Sequence, residues 1–309
     1  MNRLLTISSS KLEVAVSPEV GGSIYSMRYR LRGDEEKWVD IMRPTPPEAL
    51  ENSNAGAFAS FHMIPFSNRI ANAQLKYNGN TYHLIPNTAD GHAIHGDVRS
   101  RPWEILAAES REVELAFDSR NFSDINWPFP FSSRIKFTVM ENTFIMSMEL
   151  TNEWTETCPA GMGTHPYFSR HLTPADDQVL LQLPLKGLYP GDGTIPTGTW
   201  TEIPEELDFS VEKELGTELH IDNVYRAKPG SALIKWPGTG VKSTMIADPI
   251  FEHIVFYCPV SNPEYFAIEP VINCNNGFNM AADGIPDTGT IYLEPGETIK
   301  GNILIRIEG

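Results

Sequence analysis

Cysteine is scarce in this sequence, and its spacing suggests no pairing. Cys158, Cys258 and Cys274 form neither an even-numbered framework nor a CxxC or Cys/His metal arrangement. A disulfide-stapled scaffold is therefore excluded, and a reducing compartment is expected, with the cytoplasm as the default location. Positive charge is also short. The 309 residues hold 24 Lys+Arg against 40 Asp+Glu, a formal net charge of -16. Nucleic acid or an anionic membrane would need a strong local basic patch to overcome that balance, and the sequence shows none. Nor does any apolar run approach the ~20 residues of a bilayer-spanning helix. The opening segment MNRLLTISSSKLEVAVSPEV lacks the apolar centre and small-residue cleavage pattern of a secretory leader. GxSxG elbows, phosphate-cradling loops and dinucleotide fingerprints are missing as well, which argues against serine hydrolysis and nucleotide chemistry.

Helix-period stretches with convincing caps are few, whereas period-two alternation recurs along the chain. Leu12, Val14 and Val16 share one parity before Pro18 and Gly21-Gly22, as in a strand that enters a turn. Val113, Leu115 and Phe117 repeat the pattern. Ile135, Phe137 and Val139 run into a reversal at Glu141-Asn142, after which Phe144, Met146, Met148 and Leu150 continue it, a hairpin with one buried face. Ile303, Ile305 and Ile307 predict that the chain closes in a strand. The 23 Gly and 24 Pro are spread over the whole length, the distribution of many turns between short strands. Residues 1–309 thus read as one large all-β domain. The segments at 190–198 and 201–220 read as a surface excursion with a short helical turn.

Candidate chemistry falls in short segments rich in Pro, Gly and aromatic residues. Arg69 sits in IPFSNRI, His92 and His95 in GHAIHGD, His165 in GMGTHPYF, Asp222 in HIDNVY and Glu269 in FAIEPV. Rigid neighbours beside a titratable group suit proton transfer, which needs a fixed geometry. Each has a plainer reading. An isolated histidine is commonly a hydrogen-bonded structural residue, and Arg69 and Asp222 could pair with each other or cap turns. Glu269, between the apolar run Tyr265–Ile268 and Pro270, reads as a strand-end carboxylate, either partly desolvated with a raised pKa or paired to an arginine. His92 and His95 superficially resemble metal ligands. Three residues apart in a Gly-flanked loop, with no third ligand at a useful spacing, they define no site, so no metal is expected. Phe61, Phe66, Trp127, Phe129, Tyr167, Phe168 and Tyr225 are numerous enough to wall a sugar pocket, although most aromatics of a β protein are core.

Taken in order, NRI, HAIHGD, THPYF, the DNVY loop and Glu-Pro ahead of the asparagine-rich INCNNGFNM resemble the aldose 1-epimerase, or galactose mutarotase-like, family. The likeness extends from SPEVGGSIYSM through WPFPF to the terminal LEPGETIKGNI. It implies a large antiparallel β-sandwich, the galactose mutarotase-like supersandwich, with sugar in a cleft on one concave face. It implies an isomerase of carbohydrate metabolism that interconverts the α and β anomers of a free hexose without a cofactor. Glu269 would be the general base, His165 the general acid and His95 a second imidazole near the anomeric end. Arg69 and Asp222, with Asn68 and Tyr167, would hold the sugar. Glu269 would begin ionised and His165 as a proton donor. The protein would be a monomer or homodimer whose partner is a small sugar.

The segment HGDVRSRPW departs from the better-known galactose enzymes, which usually continue the His-Gly pair with another glycine, and resembles a divergent bacterial branch. Arg99 and Arg101 are either loop charges or contacts to an anionic group on a modified sugar. The competing expectations are therefore a mutarotase of hexose 6-phosphate or another acidic sugar on the same fold, and a non-catalytic sugar-binding sandwich. Holding both Glu269 and His165 argues against the latter, because a binder needs no acid and base together.

Overall fold

A computed structural model describes residues 3–33, 37–176, 178–192 and 194–309. Met1 and Asn2 of the opening segment and Gly193 of the 190–198 turn lie outside the described residues. Two large antiparallel sheets dominate. Among the described residues the first has ten strands, with the path Leu5–Ser8, Leu12–Ser17, Ser23–Arg30, Ser60–Met63, Gly163–Ser169, Tyr265–Val271, His253–Cys258, Ile221–Ala227, Leu185–Leu188 and with Trp38–Asp40 beside Ser23–Arg30. The second has nine, and its centre is the hairpin Phe131–Met140 and Thr143–Asn152 flanked by the last strand, Thr298–Glu308.

The second sheet follows its sequence closely. The hairpin pairs Ile135 with Met148 and Val139 with Phe144 around Glu141, which adopts a left-handed φ of 53°. The terminal strand lies between Thr143–Asn152 and Val241–Ala247, so the alternating isoleucines join a central position of the sheet. One face of each strand enters a core shared with the first sheet, where Phe66, Trp127, Phe129, Phe168 and Tyr225 are also buried. These five aromatics are therefore core residues and not pocket walls.

The first sheet is covered on both faces. On the strand Tyr265–Val271, Phe266 and Ile268 join the inter-sheet core, while Ala267 and Val271 join a second apolar cluster on the opposite face with Phe61, Met63, Tyr167, Val224 and Val255. Double coverage removes the polar-apolar alternation that marks a half-exposed strand. The 201–220 excursion holds a single 3-10 turn at Glu205–Leu207 and a two-residue strand, Lys213–Glu214, on the edge of the second sheet. No helix among the described residues is long and apolar enough to cross a membrane.

Two loops are clamped over the face of the first sheet that is turned away from the inter-sheet core. Residues Arg69–Ile70 pair with Ala93–Ile94, the His95 amide donates to Asn68 O at 2.9 Å, and the Asp97 amide donates to Ile64 O at 3.0 Å. The crossing is tight enough to force unusual backbone: Asn68 and His95 have φ of 51° and 66°, a region that side chains other than glycine seldom occupy. Gly96 follows at φ 62°, where a Cβ would stand 1.9 Å from Ile64 O. Gly96→Ala is therefore expected to cost roughly 1–3 kcal/mol of stability, because the neighbour it strikes is backbone. Urea unfolding measures this, and a loss below about 0.5 kcal/mol would show that the two loops part easily.

Candidate active site

This face of the first sheet gathers its polar groups from neighbouring strands. His165 stands opposite Phe61 on one side, and Glu269 stands opposite Val255 on the next strand. Asp222 faces Tyr257 further along, and Tyr257 faces Ala267, which also pairs with Tyr167. The ladder between the His165 and Glu269 strands runs through Gly163↔Val271 and resumes at Tyr167↔Ala267. Pro166 and Pro270, which have no amide hydrogen to give, occupy the interval. Glu269 is thus in the middle of a central strand, 1% exposed, and not at a strand end as its sequence neighbours suggest. Proline ends most strands, but here its missing donor falls where the ladder is interrupted.

His165 Nε2 lies 3.0 Å from Glu269 Oε1. The remaining hydrogen-bonding atoms of both groups, Glu269 Oε2 and His165 Nδ1, are buried without a protein partner, as are His95 Nδ1 and Arg69 Nε. Such orphans are costly in a folded interior, where buried polar groups are ordinarily bonded. The rings cluster, with Tyr167 stacked on His165, Phe61 tilted against it and His95 edge-on. His165 lies 4.2 Å from the Tyr167 centroid, 4.8 Å from Phe61 and 5.5 Å from His95.

Arg69 and Asp222 do approach each other, but only as a loose ion pair of 3.7 Å, longer than a hydrogen bond. Asn68 orients the arginine by accepting from its amide at 2.9 Å and from Nη1 at 3.2 Å. The asparagine-rich segment after the Glu269 strand holds this loop in place. Ser67 amide donates to Asn273 Oδ1, Asn276 amide donates to Arg69 O, and Ala71 amide donates to Asn276 Oδ1, at 3.1, 2.7 and 3.0 Å. Glu269 and Arg69, 200 residues apart in sequence, are therefore positioned by one continuous segment.

Burial pushes the Glu269 carboxyl well above its ordinary value; nearby Asp222 adds to this and Arg69 opposes it. Burial pushes His165 well below, assisted by Arg43 and Arg99. His95 moves the same way, through burial, Arg99, His165 and Arg69. Burial raises Asp222 against the pull of Arg69. The common cause is the cost of isolating charge from water.

All seven sequence candidates, Glu269, His165, His95, Arg69, Asp222, Asn68 and Tyr167, belong to this assembly. His92 does not. Its Nδ1 accepts from the Asn72 amide at 2.9 Å, a loop-fixing role. Among the described residues no group of three or more His, Cys, Asp or Glu is placed to hold a metal. Arg101 is bound to Asp97 and Asp124 at 2.7 and 2.8 Å, so it is a loop charge. Sequence reasoning missed Arg43, whose guanidinium carbon lies 3.4 Å from the Tyr167 ring centre and 4.5 Å from that of Tyr265. A lone arginine between Met42 and Pro44 gives no local signal. Tyr257, 6.4 Å from the His165 ring, was missed for the same reason.

Fold and site together define a double-sheet sandwich with an imidazole-carboxyl pair buried on the first sheet. The aldose 1-epimerase family model matches residues 3–306, and the chain belongs to that family. It is 25% identical over 318 residues to the Escherichia coli protein YphB, itself uncharacterized, covering 99% of each chain. It is 24% identical over 249 residues to the E. coli aldose 1-epimerase, covering 78% of this chain and 70% of that one. The crystal structure of an aldose epimerase homologue from C. elegans superposes with a TM-score of 0.84 at 18% identity, covering 100% and 99% of the two chains.

The raised carboxyl has a consequence for stability. Such a group contributes stability below its unfolded value near ~4.3, and this is lost as pH rises towards the folded-state value. Glu269→Gln removes that loss. Its stability relative to the wild type is therefore expected to improve between about pH 5 and about pH 8 in urea unfolding; a relative decline would mean the buried carboxylate is favoured.

Proposed function

We propose that this protein is an aldose 1-epimerase that interconverts the α and β anomers of a hexose by ring opening and closure, with residues 1–309 acting as one unit and no cofactor. The observation that supports this most is the 3.0 Å contact between His165 and Glu269, with an unbonded polar atom left on each. Mutarotation requires one proton removed from the anomeric hydroxyl and one delivered to the ring oxygen. Glu269 is the base, its raised pKa bringing its basicity towards working pH, and His165 is the acid.

The pair holds one proton. Burial favours the uncharged arrangement, with the proton on Glu269. The arrangement that attacks the closed sugar has it on His165. Ring opening takes the anomeric proton onto Glu269 and gives the His165 proton to the ring oxygen, which leaves the pair uncharged. Ring closure on either face of the rotated aldehyde reverses both transfers. The two states of the pair therefore match the closed and open states of the sugar, and no net proton is consumed. Arg69 donates to sugar hydroxyls and Asp222 accepts from them, Asn68 holds Arg69 in place, and His95 packs edge-on against His165 near the anomeric carbon. The three cysteines are free and buried, in keeping with a cytoplasmic, reducing location.

Polarimetry of freshly dissolved α-anomers tests the reading. The wild type is expected to speed the decay of rotation, with a bell-shaped pH profile, because both loss of the shared proton and gain of a second disable the pair. Glu269→Gln is expected to lower the rate by ~10²–10⁴. A folded Glu269→Gln variant with full rate would exclude Glu269 as the base.

A further inference from the structure

The arginines around the site are not equivalent. Arg69 faces Asp222, and Arg101 is engaged by Asp97 and Asp124. Arg99 has no carboxylate within ion-pair distance among the described residues, although it is half-buried and its guanidinium carbon lies 5.4 Å from the centre of the Phe61 ring. Arg43 also lacks a carboxylate. Its Nε and Nη2 donate to Phe58 O and Gly56 O at 3.0 and 2.5 Å, and the side chains of Tyr167 and Tyr265 also bond to the guanidinium. Withdrawn cations are ordinarily paired. Asp97 attracts Arg99 only from beyond ion-pair distance, and tyrosines are the side chains that attract Arg43. Two cations without an ion-pair contact beside one site, in a chain with 16 more acidic than basic side chains, leave their charge for an anion to meet.

The reaction itself says where that anion lies. Glu269 acts at O1 and His165 at the ring oxygen. C5 and its substituent extend from the ring oxygen away from C1. Across the sheet, the direction from Glu269 to His165 leads on to Phe61, the ring on which Arg99 rests. We propose that the substrate is an aldohexose bearing an anionic group at C6, held by the Arg99 guanidinium with Arg43 as the neighbouring positive charge. This rests on the mutarotase reading and narrows its substrate class to a sugar phosphate, sulfonate or uronate.

The same contact prepares the acid. Arg99 and Arg43 both disfavour a protonated His165 in the empty site, second to burial. An anion between them offsets that effect and shifts the shared proton from Glu269 to His165. The bound anion thus promotes the reactive arrangement, and the preference extends to kcat as well as KM.

Exchange NMR of the anomers at equilibrium tests this with glucose, glucose 6-phosphate, glucuronate and 6-deoxy-6-sulfoglucose, using the wild type, Arg99→Gln, Arg99→Lys and Glu269→Gln. At least one C6 anion is expected to exceed glucose in kcat/KM by about tenfold or more, the scale of one charged hydrogen bond. That ratio is expected to fall by about tenfold or more in Arg99→Gln and by less in Arg99→Lys. The anion that wins distinguishes phosphate, sulfonate and carboxylate. Glucose matching every anion, or Arg99→Gln slowing anionic and neutral sugars alike, would overturn the proposal and leave the mutarotase reading intact. No exchange with any of the four sugars would remove that reading, and the proposal with it.

Discussion

A carboxyl and an imidazole approach to 3.0 Å in a buried site, and the rest of the architecture can be understood as what keeps them there. Isolating Glu269 at 1% exposure destabilises its anion, and isolating His165 destabilises its cation. Either charge alone would be expensive. Together they form a unit whose cheapest state is uncharged and whose charged state differs only by a proton moved across 3.0 Å.

The unit depends on features that would count as faults elsewhere. Pro166 and Pro270 lie in central strands, and the ladder between them is interrupted beside the pair. Asn68 and His95 hold left-handed backbone, and Gly96 tolerates a carbonyl where any Cβ would collide. Local strain of this kind persists when surrounding contacts over-determine it. Asn273 and Asn276 supply those contacts by tying the loop of Arg69 to the strand of Glu269. Stability in the second sheet, with its regular hairpin and docked terminal strand, supports the irregular first sheet across a shared core.

This division explains what could be read from sequence. Strands with one wet face, such as Glu112–Asp118 and Phe131–Met140, show their alternation and were legible. The strands that bear His165 and Glu269 are buried on both faces, so THPYF and FAIEPV show no period, and the proline misplaced Glu269 at a strand end. The site residues were found through resemblance to a family and through the company of rigid neighbours. Neither route reaches Arg43 or Tyr257, which join the site only when distant strands align. Arg99 was visible as an odd charge after His-Gly, but its separation from Arg101 needed the ion pairs of the folded loop.

The central claim is that one proton resides on the buried pair and rests on Glu269 in the empty site. Infrared difference spectroscopy of the wild type against Glu269→Gln near neutral pH reads this directly. The account predicts a protonated-carboxyl band in the wild type that the variant lacks and that weakens when substrate binds. A difference spectrum with only carboxylate bands would contradict it, and would mean that Glu269 remains ionised despite its burial.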